Sequence, residues 1–142
     1  MIQTRTVRTI LLVEGYSETR EMLRSWLDKR GYRIIEAADG LEALDLAPLA
    51  HPDMILMDVR LPKLNGIAVA RRLRQADEFH EVPIVGLSVL DTDVIRRAAK
   101  SVGFVEYLTK PIDLVKLETV LTQILHMDAR AANATTAPAS EF

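Results

Sequence analysis

The 142-residue sequence predicts an α/β fold in which five β-strands, each followed by a helix, build one doubly wound parallel sheet, (βα)5. Two observations carry this. Five short runs rich in aliphatic and β-branched residues recur, at Thr9 to Val13, Arg33 to Ala37, Met54 to Met57, Val82 to Leu87 and Val105 to Thr109. All but the second lack polar/apolar alternation, and continuous apolar runs suit strands covered on both faces. Each run is followed by a stretch of helical period, and right-handed crossovers would place those helices on both faces of the sheet. The more mixed second run suits a strand nearer the edge.

The helices carry start and stop signals. Ser17 is the expected N-cap of the first, Glu18 and Glu21 suit the positive end of its dipole, and Met22, Leu23, Trp26 and Leu27 form an inward stripe before Gly31. Asp39 before Gly40 opens the second, with Leu41 and Leu44 inward, and Pro48 is expected to end or kink it. Ile67, Ala70 and Leu73 mark the third, whose arginines at 71, 72 and 74 are expected to form a solvated face. Asp91 or Thr92 can cap the fourth, with Val94, Ile95, Ala98 and Val102 inward and Gly103 ending it. Asp113 caps the fifth, which carries Leu114, Leu117, Leu121 and Ile124.

Composition narrows the function classes. Lysine and arginine number 18 against 20 acidic residues, a net charge of −2, which removes a strong electrostatic case for nucleic-acid binding. The absence of cysteine excludes disulfide scaffolds, thiolate catalysis and cysteine-ligated zinc or iron–sulfur sites, and it fits a reducing cytoplasm. No apolar run approaches a membrane span or a signal-peptide core. Residues 8–126 read as one domain, 1–7 as a short arm, and 127–142, rich in alanine, threonine and serine, as a disordered tail.

In a doubly wound sheet, ligands bind outside the carboxyl ends of the strands. The residues there are Glu14 and Gly15 after the first run, Asp58 after the third, Ser88 after the fourth and Lys110, followed by Pro111, after the fifth. Two carboxylates make a hard-oxygen site suited to magnesium, which keeps several waters and needs few protein ligands. The Lys110 ammonium can pair with Asp58 or meet an anion added to it, and the serine hydroxyl can donate to a phosphoryl oxygen. Such a set suits an aspartate that takes up a phosphoryl group. Hydrolysis of a carbon substrate is less natural, because the rim has no histidine and no second general base.

The stretches Ile10-Leu-Leu-Val-Glu14, Met57-Asp-Val-Arg-Leu-Pro-Lys-Leu-Asn-Gly66, Pro83-Ile-Val-Gly-Leu-Ser88 and Tyr107-Leu-Thr-Lys-Pro111 resemble the receiver domains of bacterial two-component response regulators. The resemblance covers roughly residues 8 to 126 and implies a flavodoxin-like strand order, 2-1-3-4-5. It implies that Asp58 is the phosphoacceptor and that Glu14, Asp58 and the backbone carbonyl of Arg60 hold Mg2+. Ser88 and Tyr107 fall on the switch hydroxyl and switch aromatic, and Lys110 on the lysine that precedes proline. In the family, phosphorylation draws the hydroxyl toward the phosphoryl group and lets the aromatic turn inward. The implied protein is not an enzyme but a stand-alone cytoplasmic receiver. Its partners would be a histidine kinase or histidine phosphotransfer protein and a downstream effector, with pairing into a homodimer open.

Two positions depart from the pattern. Gly15 stands where the family usually places a magnesium-binding aspartate, so weaker Mg2+ affinity is expected. Val89 follows Ser88 where a small residue is usual, and its bulk would restrict access to Asp58. A degenerate receiver that binds proteins independently of phosphorylation is therefore the rival reading. A flavin or nucleotide binder is disfavoured, because the turn Glu14-Gly-Tyr-Ser-Glu18 begins with an acid and lacks the glycine or hydroxyl density that cradles phosphate. His51, His80 and His126 are expected to be neither ligands nor bases, and Met22 and Trp26 to be core.

Overall fold

The structure, a computed structural model, describes residues 7–126. The expected arm, apart from Val7, and the expected tail lie outside the described residues. The strands are β1 (Thr9–Val13), β2 (Arg33–Ala37), β3 (Met54–Asp58), β4 (Ile84–Ser88) and β5 (Phe104–Thr109). The helices are α1 (Ser17–Asp28), α2 (Gly40–Ala50), α3 (Gly66–Arg74), α4 (Asp93–Ser101) and α5 (Leu114–Leu125), with a short 3-10 turn at Asp77–Phe79. All strand pairs are parallel, in the order β2-β1-β3-β4-β5.

The strand sequences explain the layering. β1, β3 and β4 are buried along their whole length, so successive side chains enter opposite layers. Leu11, Val13, Ile55 and Met57 face α2, α3 and α4, while Ile10, Leu12, Met54, Leu56, Val85 and Leu87 face α1 and α5. Each such aliphatic side chain contributes about 1.5–3 kcal/mol by leaving water. β2 lies at an edge and is only partly buried, which accounts for its mixed composition.

Several local expectations need correction. The N-cap position of α1 is Tyr16 rather than Ser17, and no side chain caps it. In α1 the inward stripe is Leu23 and Leu27, with Trp26 half-buried under the Arg30 guanidinium and Met22 exposed. In α2 the small side chains of Ala43 and Ala47 face the sheet, and Leu41 is turned to solvent. Pro48 neither ends α2 nor stops its last turn, because it lies only two residues from the end, where His51 at φ 47° closes the helix. In α4 the buried residue is Ala99, and Val94 is exposed. β4 begins at Ile84 instead of Val82, since the Val82 amide closes the preceding turn onto Phe79. Asp39, Thr92 and Asp113 cap α2, α4 and α5 with their side chains as expected of such residues.

The largest departure concerns Arg74. Instead of lying on a solvated face, its guanidinium gathers five backbone carbonyls, those of Phe79 (2.6 Å), Val82 (2.7 Å), Gly103 (3.0 Å), His80 and Val102. It thereby fastens the end of α3 to the turn before β4 and to the α4–β5 turn. A Cβ at residue 103 would sit 2.9 Å from the Arg74 Nε, and the backbone there has φ of 88°, so glycine suits the turn on both counts. Replacing Arg74 by alanine strands these carbonyls and is expected to cost roughly 2–3 kcal/mol in urea unfolding, with Arg74→Lys recovering only part. A loss below about 0.5 kcal/mol would show that water replaces the guanidinium without cost.

Candidate functional site

Parallel register brings four strand ends to one rim. Val13 pairs with Met57, Asp58 with Leu87, and Ser88 with Thr109. The residues that follow are tied down by backbone bonds, Glu14 N–H to Ala37, Val59 N–H to Leu87 and Lys110 N–H to Ser88. Side chains at 14, 58, 88 and 110 therefore start from fixed points.

Lys110 joins the two carboxylates. Its ammonium donates to Glu14 Oε1 at 2.5 Å and to Asp58 Oδ2 at 2.6 Å. Glu14 and Asp58 are buried, with 1% and 5% of their surface exposed. The second oxygen of each is also engaged: Glu14 Oε2 accepts from the Tyr16 amide at 3.0 Å and Asp58 Oδ1 from the Arg60 amide at 2.8 Å. Burial by itself pulls the Lys110 ammonium down. The hydrogen bonds and charges of Asp58 and Glu14 outweigh it and hold this lysine above its ordinary value.

Ser88 is fully buried, and its Oγ accepts from the Leu90 amide at 3.0 Å. Tyr107, almost completely buried, points its hydroxyl at the same residue and donates to the Leu90 carbonyl at 2.6 Å. The Arg96 guanidinium lies 5.1 Å from the centre of the Tyr107 ring and pairs with Asp91. Burial raises the Tyr107 phenol, against the lowering influence of the Ser88 hydroxyl and of Arg96. The β4–α4 loop is thus gripped at Leu90 from both Ser88 and Tyr107.

The response regulator receiver domain model matches residues 10–122. The polar-differentiation response regulator DivK of Brucella abortus is 31% identical over 114 residues, which cover 80% of this chain and 93% of DivK. The chain belongs to the response regulator receiver family. Among solved structures, the receiver domain of the sensor histidine kinase PA1611 from Pseudomonas aeruginosa, with a magnesium ion in its active-site cleft, is 31% identical. Its TM-score is 0.78, and the match covers 85% of this chain and 99% of that one. A co-crystal of the Saccharomyces cerevisiae histidine phosphotransfer protein Ypd1 with the receiver domain of Ssk1 matches at 28% identity and TM-score 0.80. That match covers 89% of this chain and 94% of that one.

For a divalent cation, the rim offers a small set of donors. Two carboxylates lie together, and among the described residues no group of three histidine, aspartate or glutamate side chains could hold a metal. Magnesium requires few protein ligands, so Glu14, Asp58 and a peptide carbonyl fit a largely hydrated ion once Lys110 yields an oxygen. Residue 15 adds nothing to that set. A Cβ there would lie 3.0 Å from Pro62 Cδ and 3.4 Å from the Ala38 carbonyl oxygen, so the proline ring already occupies the space beside this glycine.

The structure brings Glu14, Asp58 and Lys110 into direct contact and sets Ser88 and Tyr107 together around Leu90. No contact of the Arg60 side chain with them is seen among the described residues; only its amide touches Asp58. Sequence reasoning missed Arg20, whose Nη1 holds the Glu14 carbonyl at 2.8 Å while its Nε pairs with Glu36. An arginine on an amphipathic helix carries no signal that separates such a clamp from solvated charge. His126, expected to be idle, shares a 2.9 Å hydrogen bond with the Tyr32 hydroxyl, far from the rim.

The raised Lys110 value has a defined consequence for stability. Its contribution is complete below the ordinary lysine range, near pH ~10.4, and is lost only as pH climbs through the raised folded value. Thermal unfolding should therefore show no loss from this group between about pH 6 and 9 and a steep loss above about pH 10, which Lys110→Met reduces. Tyr107, raised likewise, adds to the same alkaline loss, so the variant keeps part of it. An unchanged alkaline limb in Lys110→Met would contradict the bridge.

Proposed function

We propose that this receiver accepts a phosphoryl group on Asp58 from a histidine kinase or histidine phosphotransfer protein and signals by contact with a downstream protein. The observation that carries this is the buried Asp58 carboxylate, bonded to Lys110 at the end of β3, with the Ser88 hydroxyl at the end of the neighbouring strand. The co-crystal of Ypd1 with a related receiver domain supports a phosphotransfer partner.

An oxygen of Asp58 would attack phosphorus as the bond from phosphorus to the donor's imidazole nitrogen breaks, the bonding pair leaving with the nitrogen. Lys110 already lies 2.6 Å from Oδ2, so its ammonium can turn from the carboxylate to the added phosphoryl oxygens without crossing the site. The Ser88 hydroxyl can donate to the same oxygens. Magnesium, held by Glu14, Asp58 and the Arg60 carbonyl, would spread the negative charge on the phosphoryl oxygens. The resting contacts of Glu14 hold its carboxylate against Lys110, which thus has two carboxylate partners at the rim.

One observation favours a second reading, a degenerate receiver that binds proteins independently of phosphorylation. All four carboxylate oxygens of Glu14 and Asp58 are already bonded within the protein, and position 15 holds no third carboxylate. Incubation with phosphoramidate or acetyl phosphate, with and without Mg2+, separates the two by intact mass. The proposal expects a magnesium-dependent phosphate adduct that Asp58→Asn abolishes; a folded protein that forms none at high donor and Mg2+ is the degenerate module.

Weakened metal binding at Gly15 belongs to the same proposal. Gly15→Asp should tighten Mg2+ binding by roughly tenfold, read by calorimetry, provided the Pro62 ring shifts by a few tenths of an ångström. Unchanged affinity would show that residue 15 is not the missing ligand.

A further inference from the structure

A groove of about 660 Å³ runs between α3 and the start of α4, next to the rim. Its floor is apolar, formed by Leu61, Ile67, Leu90 and Ile95, and its edge carries Arg60 and Arg71. Among the described residues, no acidic side chain lines it. Neither guanidinium makes a hydrogen bond or ion pair among the described residues, although the chain as a whole carries a net charge of −2. Beyond its end near α4, Val89 and Val94 are exposed by 60% and 74%, which extends the apolar surface.

An apolar floor beneath two unpaired cations complements one kind of surface, an aliphatic stripe flanked by carboxylates. We propose that this groove docks an acidic amphipathic segment of a partner protein, its leucine-like side chains on Ile67, Leu90 and Ile95 and its carboxylates on Arg60 and Arg71.

The groove is joined to the rim by hydrogen bonds. The Arg60 amide donates to Asp58 Oδ1, the Leu90 amide to Ser88 Oγ, and the Leu90 carbonyl accepts from Tyr107. Arg60 on its edge and Leu90 in its floor are therefore bonded to rim residues. A change at Asp58 or Ser88 alters the bonds that place Arg60 and Leu90, and occupancy of the groove acts back on them to the same extent. Such regulation rests on the phosphoryl-transfer reading; docking itself does not.

The probe is a fluorescein-labelled peptide of repeated Leu-Glu-Glu-Leu units, with a lysine-for-glutamate version as its charge-reversed counterpart, titrated by anisotropy against the full chain. The acidic probe should bind the unphosphorylated protein. Arg60→Glu/Arg71→Glu should weaken it by at least about tenfold and gain affinity for the lysine probe. Arg71→Glu alone, whose side chain is remote from the backbone bond to Asp58, should give an intermediate loss. Amide NMR shifts should fall on residues 59–71 and 89–95. The docking proposal is overturned by equal binding of both probes, by no binding at millimolar protein, or by sedimentation showing self-association that the double reversal abolishes. The last result would make a second copy the occupant. If docking survives in a protein that forms no phosphate adduct, only its regulation by Asp58 fails.

Discussion

Three charges at one rim, the buried carboxylates of Glu14 and Asp58 and the half-buried Lys110 between them, set the terms for the rest of this molecule. A lysine whose side chain is 15% exposed cannot place its ammonium within hydrogen-bonding distance of two nearly buried carboxylates unless the ends of β1, β3 and β5 are held in fixed register. Removing such groups from water is costly, and mutual attraction offsets the cost only when every oxygen is satisfied. Here each one is, through Lys110 and through the amides of Tyr16 and Arg60. With one ammonium against two carboxylates, the cluster retains a negative charge, which leaves reason for a further cation to enter.

That economy makes the rim sensitive to what is added to it. A phosphoryl group on Asp58 would need at least one oxygen of the aspartate and the ammonium of Lys110, both now committed. Rearrangement would pass outward by short steps, since Arg60 lies at the groove's edge and Leu90, held by Ser88 and Tyr107, in its floor. Arg96 and Asp91 brace Tyr107 from the outside, so the loop before α4 is clamped on both sides. At the opposite end of the sheet, Arg74 ties the end of α3 to the α4–β5 turn and to the turn before β4.

Much of this was legible in the sequence because strands buried on both faces read as short, continuous apolar runs, and because α2, α4 and α5 begin with the capping residues Asp39, Thr92 and Asp113. The alternation of five strands and helices along the chain, and with it the delivery of Glu14, Asp58, Ser88 and Lys110 to strand ends, follow from those two regularities, whereas the sheet order 2-1-3-4-5 was legible only through the family resemblance. Helix faces were less legible. Ala43, Ala47 and Ala99 pack against the sheet while Leu41, Met22 and Val94 face water, because close approach to a sheet favours small side chains and periodicity ranks only hydrophobicity. Arg20 and Arg74 were illegible for another reason. Their partners are backbone carbonyls, and a carbonyl leaves no trace in the sequence.

The account rests on Glu14 and Asp58 acting as one unit through Lys110, and a double-mutant cycle tests that most directly. Unfolding free energies of Glu14→Gln, Lys110→Met and the double variant should reveal a favourable coupling between residues 14 and 110 of about 1–3 kcal/mol at neutral pH. Additive effects, with coupling indistinguishable from zero, would contradict the bridge and the picture of the rim built on it.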